Sequence, residues 1–314
     1  MKRFLIVFVV ALLTLTGCSK PLEKDTDTSG LKTKGEALEL VDYDEYGGAD
    51  AYGNAGDNAN SMYYVNPDFY NMVSNDHLTI ITNFKTAQQT TEWSCGNVAT
   101  LMVLNHFGVI ADEMELAIAM GSSVDDDVAN ALPGSANNFH EYGTTVADIT
   151  NYFLNNASFR VVETSYRETF SDSELLTLAD GVSGNDTGNL PKTFSAMSLY
   201  TSDNDDASEN WVMDASESYF VQWLLTHLNA NRPIMVEWGD WDGHWQVIIG
   251  YDSMGTPGLG DDMLIFADPY DTSDHWQDGY YYYPLERWFY MWADRNVAPK
   301  PFQLQPYVIV EPIS

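Results

Sequence analysis

The apolar segment from Cys95 to Phe107 constrains the fold of this chain more than any other part of its sequence. Four of its large apolar side chains recur at helical spacing and turn around the helix axis: Val98, Leu101, Met102 and Leu104. This pattern predicts a buried helix, and Gly108 is typical of the residue at which a helix ends. The part of the chain that contains this helix, residues 61–314, is about 250 residues long, which is enough for one large domain with a substantial core.

The hydrophobic period changes along the chain. Besides the first helix, the pattern predicts helices at Asp112–Met120, Thr145–Asn155, 171–178 (with capping-box spacing between Ser171 and Glu174) and Ser216–Asn229. It predicts strands at His77–Phe84, Pro233–Trp238, His244–Tyr251, Met263–Ala267 and Gln303–Val310. Helices that are followed by antiparallel strands indicate an α+β fold. The aromatic run from Trp276 to Trp292 is more typical of core and sheet packing than of a binding groove.

The N-terminus has the pattern of an export signal. Lys2 and Arg3 precede an uncharged apolar run from Phe4 to Leu15, which is shorter than the roughly 20 residues that a membrane-spanning helix needs. The run ends in small residues directly before Cys18, and this junction resembles the lipobox of bacterial lipoproteins. The resemblance implies that residues 1–17 are removed and that lipid on Cys18 anchors the chain to the cell envelope, at the outer membrane or cell surface. The alternative is an ordinary signal peptide that happens to contain a cysteine.

Composition limits the organisation and the partners of the mature chain. Residues 18–60 are predicted to be a flexible acidic tether, and residues 183–209 a surface insertion in the domain at 61–314, because both segments are polar and lack a sustained period. The net charge of −32, or −34 once Lys2 and Arg3 are removed, argues against nucleic acid as a partner. No segment has the spaced ligands of a calcium loop, and we expect no metal or other cofactor.

Cys95 is the strongest candidate for a reactive group. If Cys18 carries lipid, Cys95 has no partner in the chain, and such a thiol is either reactive or buried and inert. At the start of a buried helix its thiolate is favoured by the helix dipole, and nearby backbone N–H groups can stabilise an oxyanion. Gly96 lets the backbone approach a ligand closely. Gln89, six residues before the cysteine, is placed to direct its amide to the same oxyanion, and Gln88 is the competing choice.

A thiol nucleophile also needs a base, and His244 is the best candidate among six histidines. It opens a predicted buried strand directly after Gly243, where it is held firmly and still reaches a cleft. Asp268 ends the next predicted strand, so a hairpin would bring it near His244 as the orienting acceptor. The alternatives are a structural histidine and ordinary Asp-Pro turn chemistry. His106 is expected to pack or to lie on the surface, and a metal role for His140 has no spaced partners to support it.

Together these motifs resemble those of the papain-like peptidases of the C39 and C39-like families. The resemblance extends roughly from Thr82 to Asp271 and lies in Gln89 to Gly96, Gly143-Thr144 before a helix, Gly243-His244-Trp245, and Asp268-Pro269. It implies a papain-like α+β fold in which the catalytic cysteine begins a helix of the N-terminal part and a C-terminal antiparallel sheet carries His and Asp. It also implies roles for Cys95 as nucleophile, His244 as general base, Asp268 as orienting residue and Gln89 as oxyanion donor. Asn97 departs from the pattern, since these families often have Pro or Ala there.

Two hypotheses of function follow. The first is a lipid-anchored exported cysteine peptidase that cleaves or transfers amide bonds of a peptide or protein substrate through a thioacyl-enzyme. The second is a catalytically silent papain-like module that binds peptides at the cell envelope. The predicted substrate-binding residues are Trp93, Gly96, Gly243 and Trp245. Self-processing after Gly47-Gly48 is a further hypothesis, because C39 peptidases cut after double-glycine leaders.

Overall fold

The computed structural model describes residues 67–122, 143–167, 194, 198–200, 211–239, 243–271, 278–293 and 304–313. Within these ranges the α-helices are α1 (Cys95–His106), α2 (Glu113–Met120), α3 (Val146–Leu154), α4 (Tyr219–Asn229) and α5 (Leu285–Met291). The strands are β1 (Leu78–Ile80), β2 (Phe159–Thr164), β3 (Ile234–Trp238), β4 (His244–Asp252), β5 (Met263–Ala267), β6 (Tyr280–Pro284) and β7 (Tyr307–Pro312). Helices and one antiparallel sheet are both present, which confirms the α+β class.

The sheet is built around β4, its longest described strand. The strands follow the order β2-β7-β3-β4-β5-β6. One edge of β4 pairs with β3 along residues 244–248 and with β1 along residues 250–252, while the other edge pairs with β5. The first eight of its nine residues are buried. A strand that is covered in this way has a continuous apolar run rather than an alternating pattern.

Helix α1 is buried as the sequence predicts. All its residues from Cys95 to Leu104 are buried, so the helix has no polar face. It packs on the sheet, where the Oγ1 atom of Thr100 lies 3.8 Å from the sulfur of Met235 on β3. The helix therefore forms the centre of the core and fixes the position of its first residue.

Most of the described aromatic side chains of the C-terminal run pack in the core, as its composition predicts, while Tyr282 and Tyr290 are exposed. The ring of Trp288 on α5 lies 5.7 Å from that of Phe266 on β5 and 4.8 Å from that of Trp292. Phe220 of α4 stacks on Trp288 with a centroid distance of 6.4 Å and an interplanar angle of 13°. These contacts join α4, α5 and the sheet.

Three elements do not follow from the sequence pattern. Strand β2 pairs only with β7 and buries only Phe159, so its sequence carries little apolar signal. Strand β6 and helix α5 both lie in the aromatic run, where nearly every position is apolar and neither period stands out. Pro284 is the last residue of β6 and the N-cap of α5, and a proline is tolerated where a helix begins.

Two strand boundaries also differ from the prediction. The last strand begins at Tyr307 rather than at Gln303, because Gln305 has a φ of +51° and Pro306 has no N–H group to donate to a ladder. Strand β1 ends at Ile80, before Asn83 with its φ of +58°. Both shifts come from backbone conformations that β-propensity does not reveal.

Several predictions concern residues outside the described ranges. These are the signal at 1–17, Cys18, the tether at 18–60 with Gly47-Gly48, the helix at 171–178 and all of the insertion at 183–209 except 194 and 198–200. In the part of the chain that the structure describes, no helix has the length and apolar character needed to cross a membrane.

Candidate active site

Cys95 is the first residue of α1 and carries a free thiol. Its exposed fraction is 8%, so the sulfur lies just beneath the surface. Ser94 precedes it at the N-cap position but forms no side-chain hydrogen bond to the first turn of the helix. Because the first N–H groups of a helix have no partner within it, those near Cys95 can act as donors to a bound group.

The sheet brings His244 and Asp268 together. His244 is the first residue of β4 and pairs with Trp238, the last residue of β3. Asp268 directly follows β5, whose last residue, Ala267, pairs with Val247 of β4. The Nε2 atom of His244 lies 2.5 Å from Oδ1 of Asp268, and both side chains are buried. The antiparallel neighbours therefore place the acid beside the imidazole, as the predicted hairpin requires.

Cys95 also acts on the imidazole of His244. Because Nε2 faces Asp268, Nδ1 is the ring nitrogen that is left for the thiol. Burial disfavours the charged imidazole, but the Asp268 carboxylate and then Cys95 outweigh this effect and raise the pKa of His244 to about 10. At neutral pH the ring is therefore protonated and hydrogen-bonded to the Asp268 carboxylate.

Backbone contacts hold the acid in place. The N–H of Tyr270 donates to Oδ1 of Asp268 at 2.8 Å, and the N–H of Asp268 donates to the carbonyl of Gly279 at 2.8 Å. Oδ1 of Asp268 thus accepts from both the Tyr270 N–H and the His244 ring, so the carboxylate cannot rotate without losing both hydrogen bonds.

The segment before Cys95 is joined to the loop that follows Asp268. The N–H of Gln89 donates to the carbonyl of Pro269 at 2.7 Å. The amide of Gln88 donates to the carbonyl of Asp268 at 2.9 Å and accepts from the N–H of Asp271 at 3.2 Å. These contacts set the height of the cysteine loop relative to the histidine and its acid.

Gln89 lies in the loop before Cys95 but is engaged within that loop. Its side chain is 1% exposed, and its Nε2 atom donates to the carbonyl of Thr91 at 2.8 Å. Its Oε1 atom has no hydrogen-bond partner. The competing Gln88 is held by the acid loop instead. The role of Gln89 as an oxyanion donor stays a prediction.

The four predicted substrate-binding residues fall into two pairs. Gly96 and Trp245 are buried, and a Cβ atom on Gly96 would lie 2.7 Å from Cβ of Thr144, which shows that Gly96 permits close packing on a protein neighbour. The Nε1 atom of Trp245 donates to the carbonyl of Thr144 at 2.7 Å. The structure thus gives this pair a packing role.

The other pair lies nearer the surface. Trp93 is half-buried, and its Nε1 atom has no hydrogen-bond partner. Gly243 is also half-buried, and its φ of +133° is a conformation that other residues rarely adopt. Gly243 therefore sets the direction in which the chain enters β4 at His244.

Sequence analysis does not predict a polar network beneath the cysteine loop. Glu113 of α2 is 2% exposed, and its carboxylate accepts hydrogen bonds from Thr90 and Ser94. On the other side of α1, the amide of Asn97 donates to Ser122 at 3.0 Å. A glutamate in the first turn of a helix is usually explained by the helix dipole, so its residue type gave no sign of burial.

The sequence raises other roles for His106 and His140. His106 packs against Phe84 with a centroid distance of 5.3 Å, and burial lowers its pKa. His140 lies outside the described residues. Among the residues that are described, no group of three or more His, Cys, Asp or Glu side chains is arranged to hold a metal ion.

Comparison with known proteins gives one match. Residues 155–292 match the model of the Peptidase_C39 like family. The matched segment contains His244 and Asp268 and begins after Cys95. The match confirms the resemblance to C39-like peptidases, and this family points to cysteine peptidase activity. No curated protein and no solved structure matches the chain.

Proposed function

We propose that this chain, which is C39-like over residues 155–292, is an exported, lipid-anchored cysteine peptidase with a papain-like arrangement of Cys95, His244 and Asp268. The observation that carries the proposal is the 2.5 Å hydrogen bond between the buried His244 imidazole and the buried Asp268 carboxylate, together with the effect of Cys95 on the same ring. The thiol begins a helix, the imidazole begins a strand and the acid ends the neighbouring strand. A nucleophile, a base and an orienting group are therefore held by three rigid elements.

The first chemical step is attack of the Cys95 thiolate on an amide carbonyl carbon. The C–S bond forms as the carbonyl electron pair moves to oxygen. First-turn N–H groups of α1 then stabilise the oxyanion. When the oxyanion collapses, the C–N bond breaks and the Nδ1 proton of His244 moves to the departing amine. The product is a thioester on Cys95 and a free amine.

The second step restores the enzyme. Water, or an amine in a transfer reaction, attacks the thioester while the now neutral His244 accepts its proton at Nδ1. Collapse of the second oxyanion breaks the C–S bond and releases the thiolate together with the acid, or with the new amide when an amine has attacked. Throughout both steps Asp268 holds Nε2 of the ring, and it stabilises the imidazolium whenever the ring is protonated.

The test is the rate at which iodoacetamide alkylates Cys95 as a function of pH, in residues 61–314 and in the full chain. If the proposal holds, labelling is rapid well below pH 8 and His244→Ala slows it. The matched control is His77→Ala, because His77 also pairs with an aspartate, Asp252, at 2.7 Å but lies away from Cys95. Slow labelling that rises only above pH 8 and is unchanged by His244→Ala would contradict the assignment.

Turnover is tested separately with fluorescein-labelled casein as the protein substrate. Wild type should release fluorescent peptides, and Cys95→Ala should release none while keeping its circular dichroism spectrum. The substitution removes one sulfur atom from a site that is 8% exposed, so the fold should tolerate it. Equal rates in wild type and Cys95→Ala would remove Cys95 from the mechanism.

A further inference from the structure

Glu113 is an acidic side chain that lies deep beneath the cysteine loop. It is the first residue of α2 and only 2% exposed. Its Oε1 atom accepts from the N–H of Thr90 at 3.1 Å and from the hydroxyl of Ser94 at 2.5 Å. Its Oε2 atom accepts from the hydroxyl of Thr90 at 2.7 Å. A buried carboxylate is costly unless it is hydrogen-bonded, so the three donors explain how this one is tolerated.

These contacts fix both ends of the loop that carries the nucleophile. Thr90 lies five residues before Cys95 and Ser94 lies directly before it. Between them, the hydroxyl of Thr91 donates to Oγ of Ser94 at 2.7 Å and accepts from the N–H of Ser94 at 3.1 Å. The carboxylate therefore closes a small network that contains most of the polar side chains of the loop.

The network has a consequence for the start of α1. A serine at the N-cap position normally accepts a hydrogen bond from the second or third helical N–H group. Asp112, Thr145 and Ser218 do so at the starts of α2, α3 and α4. Ser94 forms no such bond: its hydroxyl donates to Glu113 and accepts from Thr91, and its ψ of 16° differs from the extended backbone of the three capping residues. The first-turn donors of α1 are thereby spared from a cap.

We propose that Glu113 is a positioning residue of the active site. By holding the Ser94 side chain and its non-extended backbone in an arrangement that does not cap the helix, it leaves the N–H groups of Gly96 and Asn97 open to the carbonyl oxygen of a substrate. By holding Thr90, it fixes the approach of the loop to Cys95. This inference rests on the proposed function, since the open donors matter only where an oxyanion forms.

The experiment compares Glu113→Ala and Glu113→Gln, with Glu115→Ala as the matched control. Glu115 lies on the same helix but is exposed. In Glu113→Gln, Oε1 can still accept from Thr90 and Ser94 while the new NH₂ group donates to the Thr90 hydroxyl. This variant should therefore cleave labelled casein within about threefold of wild type, since the geometry is kept.

In Glu113→Ala the Ser94 hydroxyl is released, and Ser94 can then adopt the extended backbone of the other N-cap residues and cap α1. We expect kcat to fall about 10²-fold with little change in KM, because loss of an oxyanion donor costs 10²–10³-fold in turnover. Alkylation of Cys95 by iodoacetamide forms no oxyanion and should stay within about threefold of wild type. Adding Ser94→Ala removes the competing cap and should recover at least about tenfold of the lost kcat.

Three results would overturn the inference. The first is a parallel loss of alkylation and turnover in Glu113→Ala with a broken fold, and the second is no recovery in Glu113→Ala/Ser94→Ala. The third concerns a direct readout that needs no substrate, which is amide hydrogen exchange at Gly96 and Asn97. Exchange should slow in Glu113→Ala if Ser94 turns to cap the helix, and unchanged exchange would refute the idea.

The same design separates this inference from the proposed function. If wild type labels rapidly but cleaves no casein, the peptidase proposal fails for that substrate, while amide exchange still decides the role of Glu113.

Discussion

Replacing Asp268 by Asn tests the charge arrangement of the site most directly. Asn has the same shape, and its Oδ1 atom can still accept from Tyr270 and from His244, which lie 2.8 Å and 2.5 Å from Oδ1 of Asp268 in the wild type. What disappears is the negative charge that, against the effect of burial, raises the pKa of His244 to about 10. Without that charge burial dominates, so the pKa of His244 should fall to its ordinary value or below it.

The size of the effect follows from that change. A fall in the pKa of His244 from about 10 to the ordinary value of 6.5 is about 3.5 pH units, which corresponds to about 5 kcal/mol of lost stabilisation of the imidazolium. Relaxation and water entry reduce such values in real proteins, so we expect alkylation at pH 6.5 to slow by a factor of about 10 to 10³. In the variant the ring is protonated to a smaller extent at this pH and supports the thiolate less. Labelling should therefore rise only at higher pH.

The assay is intact-mass measurement of iodoacetamide labelling between pH 5 and 9. Asp252→Asn is the control, because it removes the acid of the other described His–Asp pair, in which His77 is largely exposed. The control should follow the wild-type profile. If Asp268→Asn labelled as fast as wild type at pH 6.5 with the same profile, the carboxylate would not be what keeps His244 protonated, and the reasoning would be wrong.

Three further predictions follow from the structure and the sequence. As pH rises from 6.5 to about 10, the free energy of unfolding of wild type should decline relative to that of His244→Gln, by up to about 1.4 kcal/mol per pH unit. The reason is that a pKa raised on folding contributes stability that is complete below pH 6.5 and is lost as pH rises through about 10. A constant difference between the two proteins in urea unfolding at all pH values would contradict this. Gly96→Ala should destabilise the protein by about 1–3 kcal/mol and shift its thermal midpoint downward, since the added Cβ would lie 2.7 Å from Cβ of Thr144, whereas Gly108→Ala meets no neighbour and tests φ alone. Cys18→Ser should move the protein from the membrane fraction to the soluble fraction and remove the acyl mass from its N-terminus, and an unchanged mass would exclude the lipid anchor.

Much of the fold was predictable because its central elements carry strong patterns. Helix α1 and strand β4 are buried over Cys95–Leu104 and His244–Tyr251, and both segments are therefore rich in apolar residues that can be recognised in the sequence. The start of each run marks a chemical group, Cys95 or His244. The edge strand β2 and the elements β6 and α5 escaped prediction because their residues are either half-exposed or uniformly aromatic.

The pairing of His244 with Asp268 also follows from sequence, although only through topology. Both residues stand at strand ends, and a hairpin between β4 and β5 brings such ends together whatever the intervening loop contains. The assignment needs only the two apolar runs and the turn residues between them. Prediction of the acid was possible for this reason, since no property of an Asp-Pro dipeptide alone distinguishes a catalytic acid from a turn.

Glu113 and Gln89 mark where that reasoning ends. In sequence, Glu113 is an unremarkable acid in a helical first turn, and only the tertiary approach of α2 to the cysteine loop makes it an acceptor for Thr90 and Ser94. Gln89 has the expected spacing from Cys95, yet its amide donates to the carbonyl of Thr91. Spacing along a chain fixes how far a side chain can reach, but the partner it meets depends on which groups the surrounding fold leaves unsatisfied. A serine that gives up its cap to a buried carboxylate is such a case, and the N–H groups it leaves open are where a search for oxyanion donors should begin.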